Sequence, residues 1–148
     1  MDLSIDLHTH TVASGHAYST IRENIAFAKA RGLRIMGTSD HAKAMRGVRS
    51  NAVFGNYMAL PRVLDGIVLL CGVEANIIDV DGTIDIDMDR QRVDYAIVSL
   101  HKQCFTPLDE KSNTDAIINA CKHPAVQIIG HPDDARYPLD YERLSDFI

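Results

Sequence analysis

The chain lacks several features that would assign it to a special class of proteins. Among its 148 residues no apolar run approaches the roughly 18 residues that cross a bilayer. The start of the chain has neither the basic region nor the apolar stretch of a signal peptide. Its three cysteines form no CxxC pair, which argues against a disulfide framework or a thiolate zinc site. These absences predict a cytoplasmic protein without a membrane partner.

Basic charge is also scarce. The 15 Lys and Arg residues against 20 Asp and Glu residues give a net charge of −5, which argues against binding along a nucleic-acid backbone. The 46% of hydrophobic residues suffice for a core, and no repeat or linker divides the chain. We therefore expect one domain over residues 1–148, and the sequence leaves its oligomeric state open.

Short apolar runs alternate with amphipathic stretches, which is typical of parallel β/α units. The predicted strands cover Leu3–Thr11, Leu33–Thr38, Ile67–Val73, Tyr95–Leu100 and Val126–Ile129. The predicted helices follow Ser19-Thr20 as far as Arg31-Gly32, cover residues 56–64 and 114–122, and begin again near Asp140. The Asp81-Gly82 pair between alternating hydrophobic residues predicts an inserted hairpin over residues 77–87. We expect the aspartates of this segment on its solvated face: Asp79, Asp81, Asp85, Asp87 and Asp89.

Each predicted parallel strand ends on an unusual polar residue. These residues are His8 and His10, Asp40-His41, Glu74, His101 and His131, and His16 follows the first strand closely. The strands themselves are nearly continuous apolar runs, as expected when both faces are buried. In a β/α barrel the carboxyl ends of the strands meet at one mouth, where these side chains would converge. The pattern therefore favours a barrel over an open doubly wound sheet.

Imidazoles and a carboxylate together are the ligand set of zinc, manganese or iron. His8 and His10 are two residues apart, so a strand points both to one face, and Asp6 on that face could orient a ligand imidazole. Taken singly, each histidine could instead be a surface residue or a satisfied core imidazole, most readily His16 and His101. His123 precedes Pro124 at a helix end and is assigned no ligand role.

Glu74 ends an apolar strand, where an unpaired carboxylate would be costly to bury. A position bridging two metal ions would explain it, and a salt bridge to a nearby Arg or Lys is the alternative. The segment from His41 to Leu64 has no acidic residue and is basic. We expect Lys43, Arg46 and Arg49 to bind substrate phosphate at the barrel mouth, with a flexible solvated loop as the alternative.

The ordered motifs resemble the PHP family, the polymerase and histidinol phosphatase superfamily, and in particular its small YcdX-like phosphatases. The matching segments are Asp6-Leu-His-Thr-His10 with His16, Ser39-Asp-His41, Gly72-Val-Glu74, Ser99-Leu-His101 and Gly130-His-Pro132. The resemblance implies a distorted barrel of seven β/α units with up to three divalent metals, zinc first, or manganese or iron. It assigns His8, His10 and Glu74 to one metal, Glu74, His101 and His131 to a second, and His16 and His41 to a third. Asp6 and Asp40 are expected to position these ligands.

The family pattern also includes an Asp-x-His motif on the last strand, which has no counterpart after His131. At roughly 30 residues for each β/α unit, the chain accommodates about five units of the seven. We therefore expect a fragment of the barrel, with two sheet edges exposed.

The function implied is a metal-dependent phosphoesterase that hydrolyses a small phosphate monoester. Clustered metals activate a water and neutralise phosphoryl oxygens, and Glu74 would bridge the metals and position that water. No nucleophile elbow, P-loop or dinucleotide-binding glycine pattern supports another mechanism. Within the family, a nuclease or polymerase-associated editing domain and a histidinol phosphate phosphatase are alternatives. A non-catalytic metal-binding module is the alternative from a different class.

Overall fold

The computed structural model describes residues 4–148, so that Leu3 of the predicted first strand lies outside the described residues. Its sheet comprises β1 (Ile5–Thr9), β2 (Ile35–Thr38), β3 (Val63–Leu64), β4 (Ile67–Asn76), β5 (Tyr95–Ser99) and β6 (Val126–Ile129). Its α-helices are α1 (Ile21–Ala30), α2 (Ala52–Gly55), α3 (Glu110–Cys121) and α4 (Tyr141–Phe147). Short 3-10 turns cover Val12–Ser14, Tyr57–Ala59 and Met88–Arg90.

The strands lie in the order β1-β2-β4-β5-β6, and all neighbours in this order are parallel. The sheet curls into a half-barrel, which confirms the predicted α/β fold with about five β/α units. Within residues 4–148, β1 and β6 form the two edges of this sheet. None of the helices in this range is long and apolar enough to span a membrane. The cytoplasmic location stays a prediction.

The side chain of Tyr95 fills the concave face of the half-barrel. Its hydroxyl donates a hydrogen bond of 2.6 Å to the carbonyl of Leu7 in β1, although Tyr95 itself lies in β5. A Cβ at Gly72 or at Gly37 would overlap the tyrosine ring or its hydroxyl, so glycine leaves the room that this side chain needs. One tyrosine therefore connects β5 with the edge strand β1 across β4 and β2.

Most predicted elements are confirmed, with shifted boundaries. Helix α1 begins with a capping box between Thr20 and Glu23 and is followed by Gly32 at φ 77°, as the start and stop signals predict. Helix α3 begins at Glu110, four residues before the predicted start, because the Asp109 side chain caps it.

Two expectations are wrong. The helix predicted over residues 56–64 is replaced by a 3-10 turn and β3, and the short helix α2 ends just before it. Strand β3 turns back onto β4 through Asp65-Gly66 in left-handed conformations. The predicted hairpin over residues 77–87 is reduced to one isolated bridge between Ile77 and Ile84. The Asp-Gly turn is present, but Asp85, which was expected on the solvated face, is buried, and its carboxylate accepts from the backbone nitrogen of Asn76.

Candidate metal centre

The carboxyl ends of the parallel strands meet around one buried carboxylate. Glu74, near the end of β4, is only 1% exposed. The imidazoles around it come from the ends of the four other parallel strands: His8 and His10 from β1, His41 from β2, His101 from β5 and His131 from β6. Strand ends that share one edge of a curled sheet explain why residues so distant in sequence meet here.

Three imidazoles surround the Oε2 atom of Glu74. His8 Nε2, His10 Nε2 and His41 Nδ1 each lie 3.1 Å from this oxygen. His41 Nδ1 is buried, yet it makes no hydrogen bond of acceptable geometry within the described residues. His16 extends the group, with its ring centroid 5.1 Å from that of His10 and 4.8 Å from that of His41.

The Oε1 atom of Glu74 faces a different set of side chains. Ser99 donates a hydrogen bond of 2.6 Å to it, and His101 Nε2 and His131 Nε2 lie 3.2 and 3.1 Å away. The two imidazole nitrogens are themselves 3.1 Å apart. Gly130 makes this arrangement possible, because a Cβ there would overlap the Ser99 hydroxyl and lie 3.4 Å from Oε1.

The charge of Glu74 is strongly favoured despite its burial. Burial opposes ionisation, but the interactions with the surrounding histidines outweigh it and lower the pKa of the carboxyl far below its usual range. Burial has the opposite result for His41, whose pKa falls to about 3 because desolvation disfavours the imidazolium. A hydrogen bond to Glu74 raises the pKa of His131 against the effect of burial. The centre thus combines a permanent anion with a neutral buried imidazole.

The hydrogen bonds of His10 suit a metal ligand. Its Nδ1 lies 2.9 Å from the hydroxyl oxygen of Ser14, and that hydroxyl donates to Asp40 Oδ1 at 2.6 Å. Because the one hydroxyl proton is directed at a carboxylate, Ser14 accepts from His10, and His10 Nδ1 carries the proton. The Nε2 lone pair then faces Glu74 Oε2, and two acceptors 3.1 Å apart repel each other unless a cation or a proton lies between them. The residues therefore fit a divalent metal.

Three groups of three side chains can each bring their ligand atoms within 4.8 Å of one another. They are His8, His10 and Glu74; His41, Glu74 and His101; and His10, His16 and His41. The first group equals one set that the family resemblance implies. In the second, His41 takes the place expected for His131, and in the third His10 joins His16 and His41. The role of all these residues as ligands stays a prediction.

A family model described as the PHP domain matches residues 6–148, which includes every residue of the centre. The chain belongs to the PHP domain family. Similar proteins include one named a probable phosphatase from Thermoanaerobacter sp. (strain X514), 46% identical over 146 residues that make up 97% of this chain. Others with the same name are 42% identical in Acetivibrio thermocellus and 44% in Vibrio parahaemolyticus, each over 145 residues and 97% of this chain.

The match covers 60% of the Thermoanaerobacter and Acetivibrio relatives and 58% of the Vibrio relative. This PHP domain chain therefore spans about 60% of the length of the curated relatives that it matches.

The two aspartates expected to position ligands of the PHP domain differ in their surroundings. Asp40 is buried and connects to His10 through Ser14, and it also accepts hydrogen bonds from the backbone and hydroxyl of Thr11. Asp6 is exposed at the sheet edge and accepts only from the backbone nitrogen of His8 among the described residues. The carboxylate of Asp6 thus accepts from its own strand, and its role in orienting an imidazole stays a prediction.

Two basic residues that sequence patterns do not single out line the mouth of the centre, and the expected roles of Lys43, Arg46 and Arg49 stay predictions. The centre opens into a cavity of about 420 Å³, whose lining includes the exposed Lys102 and Arg136. Lys43 instead lines a separate cavity beside the segment 77–91. The backbone nitrogen of Arg46 donates to Gln103, which lines this cavity. Arg49 is exposed and is not among the residues that line the described cavity.

Sequence patterns miss several residues that shape this centre. Ser14, Ser99 and Gly130 were not expected to act, although Ser99 and Gly130 stand in the family motifs beside His101 and His131. His123, the histidine without an expected role, lies apart and accepts a hydrogen bond from the backbone of Ala125. The serines could have been suspected from their spacing to ligand histidines, but the contact with Gly130 depends on how two strands pack.

Proposed function

We propose that this PHP domain belongs to a metal-dependent phosphatase that hydrolyses small phosphate monoesters. One observation carries the proposal: both oxygens of the buried Glu74 face histidine nitrogens at 3.1–3.2 Å, in a cavity that opens to solvent. The family match and the relatives named probable phosphatases support the reaction class. We assign residues 1–148 to a single domain.

Divalent ions bound here would supply an activated water and neutralise the phosphoryl oxygens. Because imidazoles outnumber carboxylates in the ligand set, we expect zinc first, with manganese or iron as substitutes. The resemblance to the family implies up to three ions. The ligands are His8, His10, His16, His41, Glu74, His101 and His131. Glu74 bridges the two imidazole groups, and Ser99 and Asp40 hold the carboxylate and His10 in place.

The substrate is a small phosphate ester. Lys102 and Arg136 place positive charge beside the centre, where it attracts a phosphate group. Arg136 already pairs with Asp134, at 2.5 Å between its Nη2 and Oδ2 of the carboxylate, so Lys102 is the more available partner. A cavity of about 420 Å³ is large enough for a small ester.

The decisive experiment measures metal and activity together. The metal-free chain is titrated with zinc and with manganese, its metal content is determined, and hydrolysis of p-nitrophenyl phosphate is followed. His10→Ala is compared with His123→Ala, which removes an imidazole outside the centre. We expect metal content and turnover to be lost in His10→Ala and retained in His123→Ala.

Each other outcome identifies a different function. Bound zinc without turnover would indicate a non-catalytic metal-binding module. Digestion of single-stranded DNA with no hydrolysis of the monoester would favour the nuclease alternative. Equal metal content in both variants would reject the centre itself.

A further inference from the structure

Asp85 is a buried carboxylate outside the set of metal ligands. It is 6% exposed, and within residues 4–148 no Arg, Lys or His lies within ion-pair distance of it. Its Oδ1 accepts from the backbone nitrogen of Asn76 at 2.8 Å, and its Oδ2 accepts from the backbone nitrogen of Ala44 at 2.7 Å. Burying a charge whose only partners are neutral donors costs free energy. This cost suggests that the orientation of the Asp85 carboxylate has a role in the site.

A third hydrogen bond of Asp85 fixes the orientation of an amide. The side-chain nitrogen of Asn76 donates to Asp85 Oδ2 at 2.7 Å and to the carbonyl of Ala42 at 3.3 Å. Both partners can only accept, so the amide nitrogen must face them. The amide oxygen of Asn76 is then directed the opposite way, and it lies 2.8 Å from His101 Nδ1.

This orientation decides which nitrogen of His101 carries the proton. An amide oxygen can only accept, so Nδ1 of His101 must be protonated, and the lone pair of the neutral ring resides on Nε2. That atom lies 3.2 Å from Glu74 Oε1 and 3.1 Å from His131 Nε2, which is the inner face of the centre. The other tautomer would direct a proton at the place where a cation would bind.

We infer that Asp85 is a positioning residue, which acts through Asn76 to hold His101 in the tautomer whose Nε2 lone pair faces Glu74. The metal-binding consequence rests on the proposed function, but the tautomer does not. Asp85 belongs to the segment between β4 and β5, so this segment supports the centre without contacting it. Its bond to Ala44 also attaches the start of the loop after β2 to the same carboxylate.

The test reads the tautomer directly. In the metal-free chain at about pH 9, well above the ordinary imidazole pKa of about 6.5, nitrogen-15 NMR distinguishes a protonated ring nitrogen from one with a lone pair. We expect His101 to show a protonated Nδ1 and an unprotonated Nε2. In Asp85→Asn the amide of Asn76 is free to turn over, so we expect a mixture of tautomers.

Zinc affinity provides the second readout. Loss of a residue that orients a metal-ligating histidine typically weakens metal binding about 10–100-fold, and we expect that loss in Asp85→Asn. Asp89→Asn is the matched control, because it makes the same change at an exposed aspartate of the same segment. Its tautomer and affinity should equal those of the unmodified chain.

Two results would overturn the inference: an unprotonated Nδ1 in the unmodified chain, or an unchanged tautomer in Asp85→Asn. The first applies even when the variant does not fold. An unmodified chain with the expected tautomer but no affinity for zinc would support the inference and reject the proposed metal-dependent function.

Discussion

The two oxygens of Glu74 face two halves of the centre that are built differently. On the Oε2 half, His10 is fixed by a side-chain relay through Ser14 to the buried Asp40. On the Oε1 half, the carboxylate oxygen is reached by Ser99 because Gly130 lets two strands approach closely. The Oε2 half therefore depends on hydrogen-bond partners, and the Oε1 half depends on the absence of a side chain.

The Oε1 half also contains backbone strain. His131 has φ 30°, a left-handed conformation that is uncommon for residues other than glycine. His131 follows β6, an edge of the described sheet, and its ring is hydrogen-bonded to Glu74. A side chain held by a strained backbone on an edge strand should be displaced more easily than the relay-supported His10.

The largest loss of zinc affinity is expected from a substitution that disrupts both halves of the centre at once. Glu74→Gln retains the shape of the side chain but removes the anion that all five imidazoles face. We expect zinc affinity to fall by more than about 100-fold, beyond the effect of losing a residue that only orients a ligand. Calorimetric titration with zinc measures it, and Glu110→Gln, an exposed glutamate in α3, serves as the control. Retained affinity would show that Glu74 does not bridge the halves.

The next largest loss of zinc affinity is expected from a substitution in the Oε2 half alone. In Asp40→Asn the anionic acceptor of the Ser14 hydroxyl becomes a neutral amide, which holds the hydroxyl proton less strongly. The hydroxyl can then donate to His10 Nδ1, which favours the wrong tautomer. We expect zinc affinity to fall about 10–100-fold while the fold is retained. The exposed Asp6→Asn is the control, since Asp6 contacts only a backbone nitrogen. Equal effects in the two variants would remove the distinction between buried and exposed aspartates.

Sequence patterns predict which histidines converge better than they predict the residues that support them, for a physical reason. Strand ends can be located from apolar runs, and parallel strands bring their ends together, so His41, Glu74 and His131 could be expected to converge. The inward direction of Asp85 could not, because an Asp-Gly turn with alternating hydrophobic neighbours equally predicts an exposed hairpin. The choice between Lys43 and Lys102 depends on loop paths that no local periodicity encodes.

The Oε1 half can be disrupted by one methyl group. In Gly130→Ala the added Cβ overlaps the Ser99 hydroxyl and also approaches Ile97. We expect a loss of about 1–3 kcal/mol in the free energy of unfolding, as for overpacked interiors, together with weaker zinc binding. Gly55→Ala is the control, since nothing lies within 4 Å of a Cβ there. Urea denaturation compares them, and an unchanged stability would argue against the close approach.

Protonation should affect the halves with opposite sign in the metal-free chain. The folded pKa of His41 lies near 3, below its ordinary value of about 6.5, so only the unfolded chain binds this proton between those limits. Stability from His41 is thus complete above about pH 6.5 and falls as the pH is lowered toward 3. The folded pKa of His131 is raised, so its contribution is complete below about pH 6.5 and is lost as the pH rises through the folded value.

Urea denaturation from pH 5 to pH 8.5, in the presence of a chelator, separates the contributions of His41 and His131 to stability. We expect His41→Asn to reduce the loss of stability on the acid side and His131→Asn to reduce the loss on the alkaline side. Parallel pH profiles for the two variants would contradict the assigned pKa directions.

The smallest effect is expected on the KM for substrate. It is tested by comparing two lysines, each of which follows a histidine of the centre. Lys102 follows His101 on the Oε1 half and lines the cavity of the centre, whereas Lys43 lies two residues after His41 and lines a different cavity. An exposed charge interaction with phosphate is worth up to about 1 kcal/mol, which corresponds to a change of about fivefold in KM. We expect Lys102→Ala to raise KM for p-nitrophenyl phosphate by that factor with kcat nearly unchanged, and Lys43→Ala to leave both constants unchanged. A raised KM in Lys43→Ala with unchanged constants in Lys102→Ala would show that substrate approaches over the Oε2 half, as the basic segment after β2 indicates.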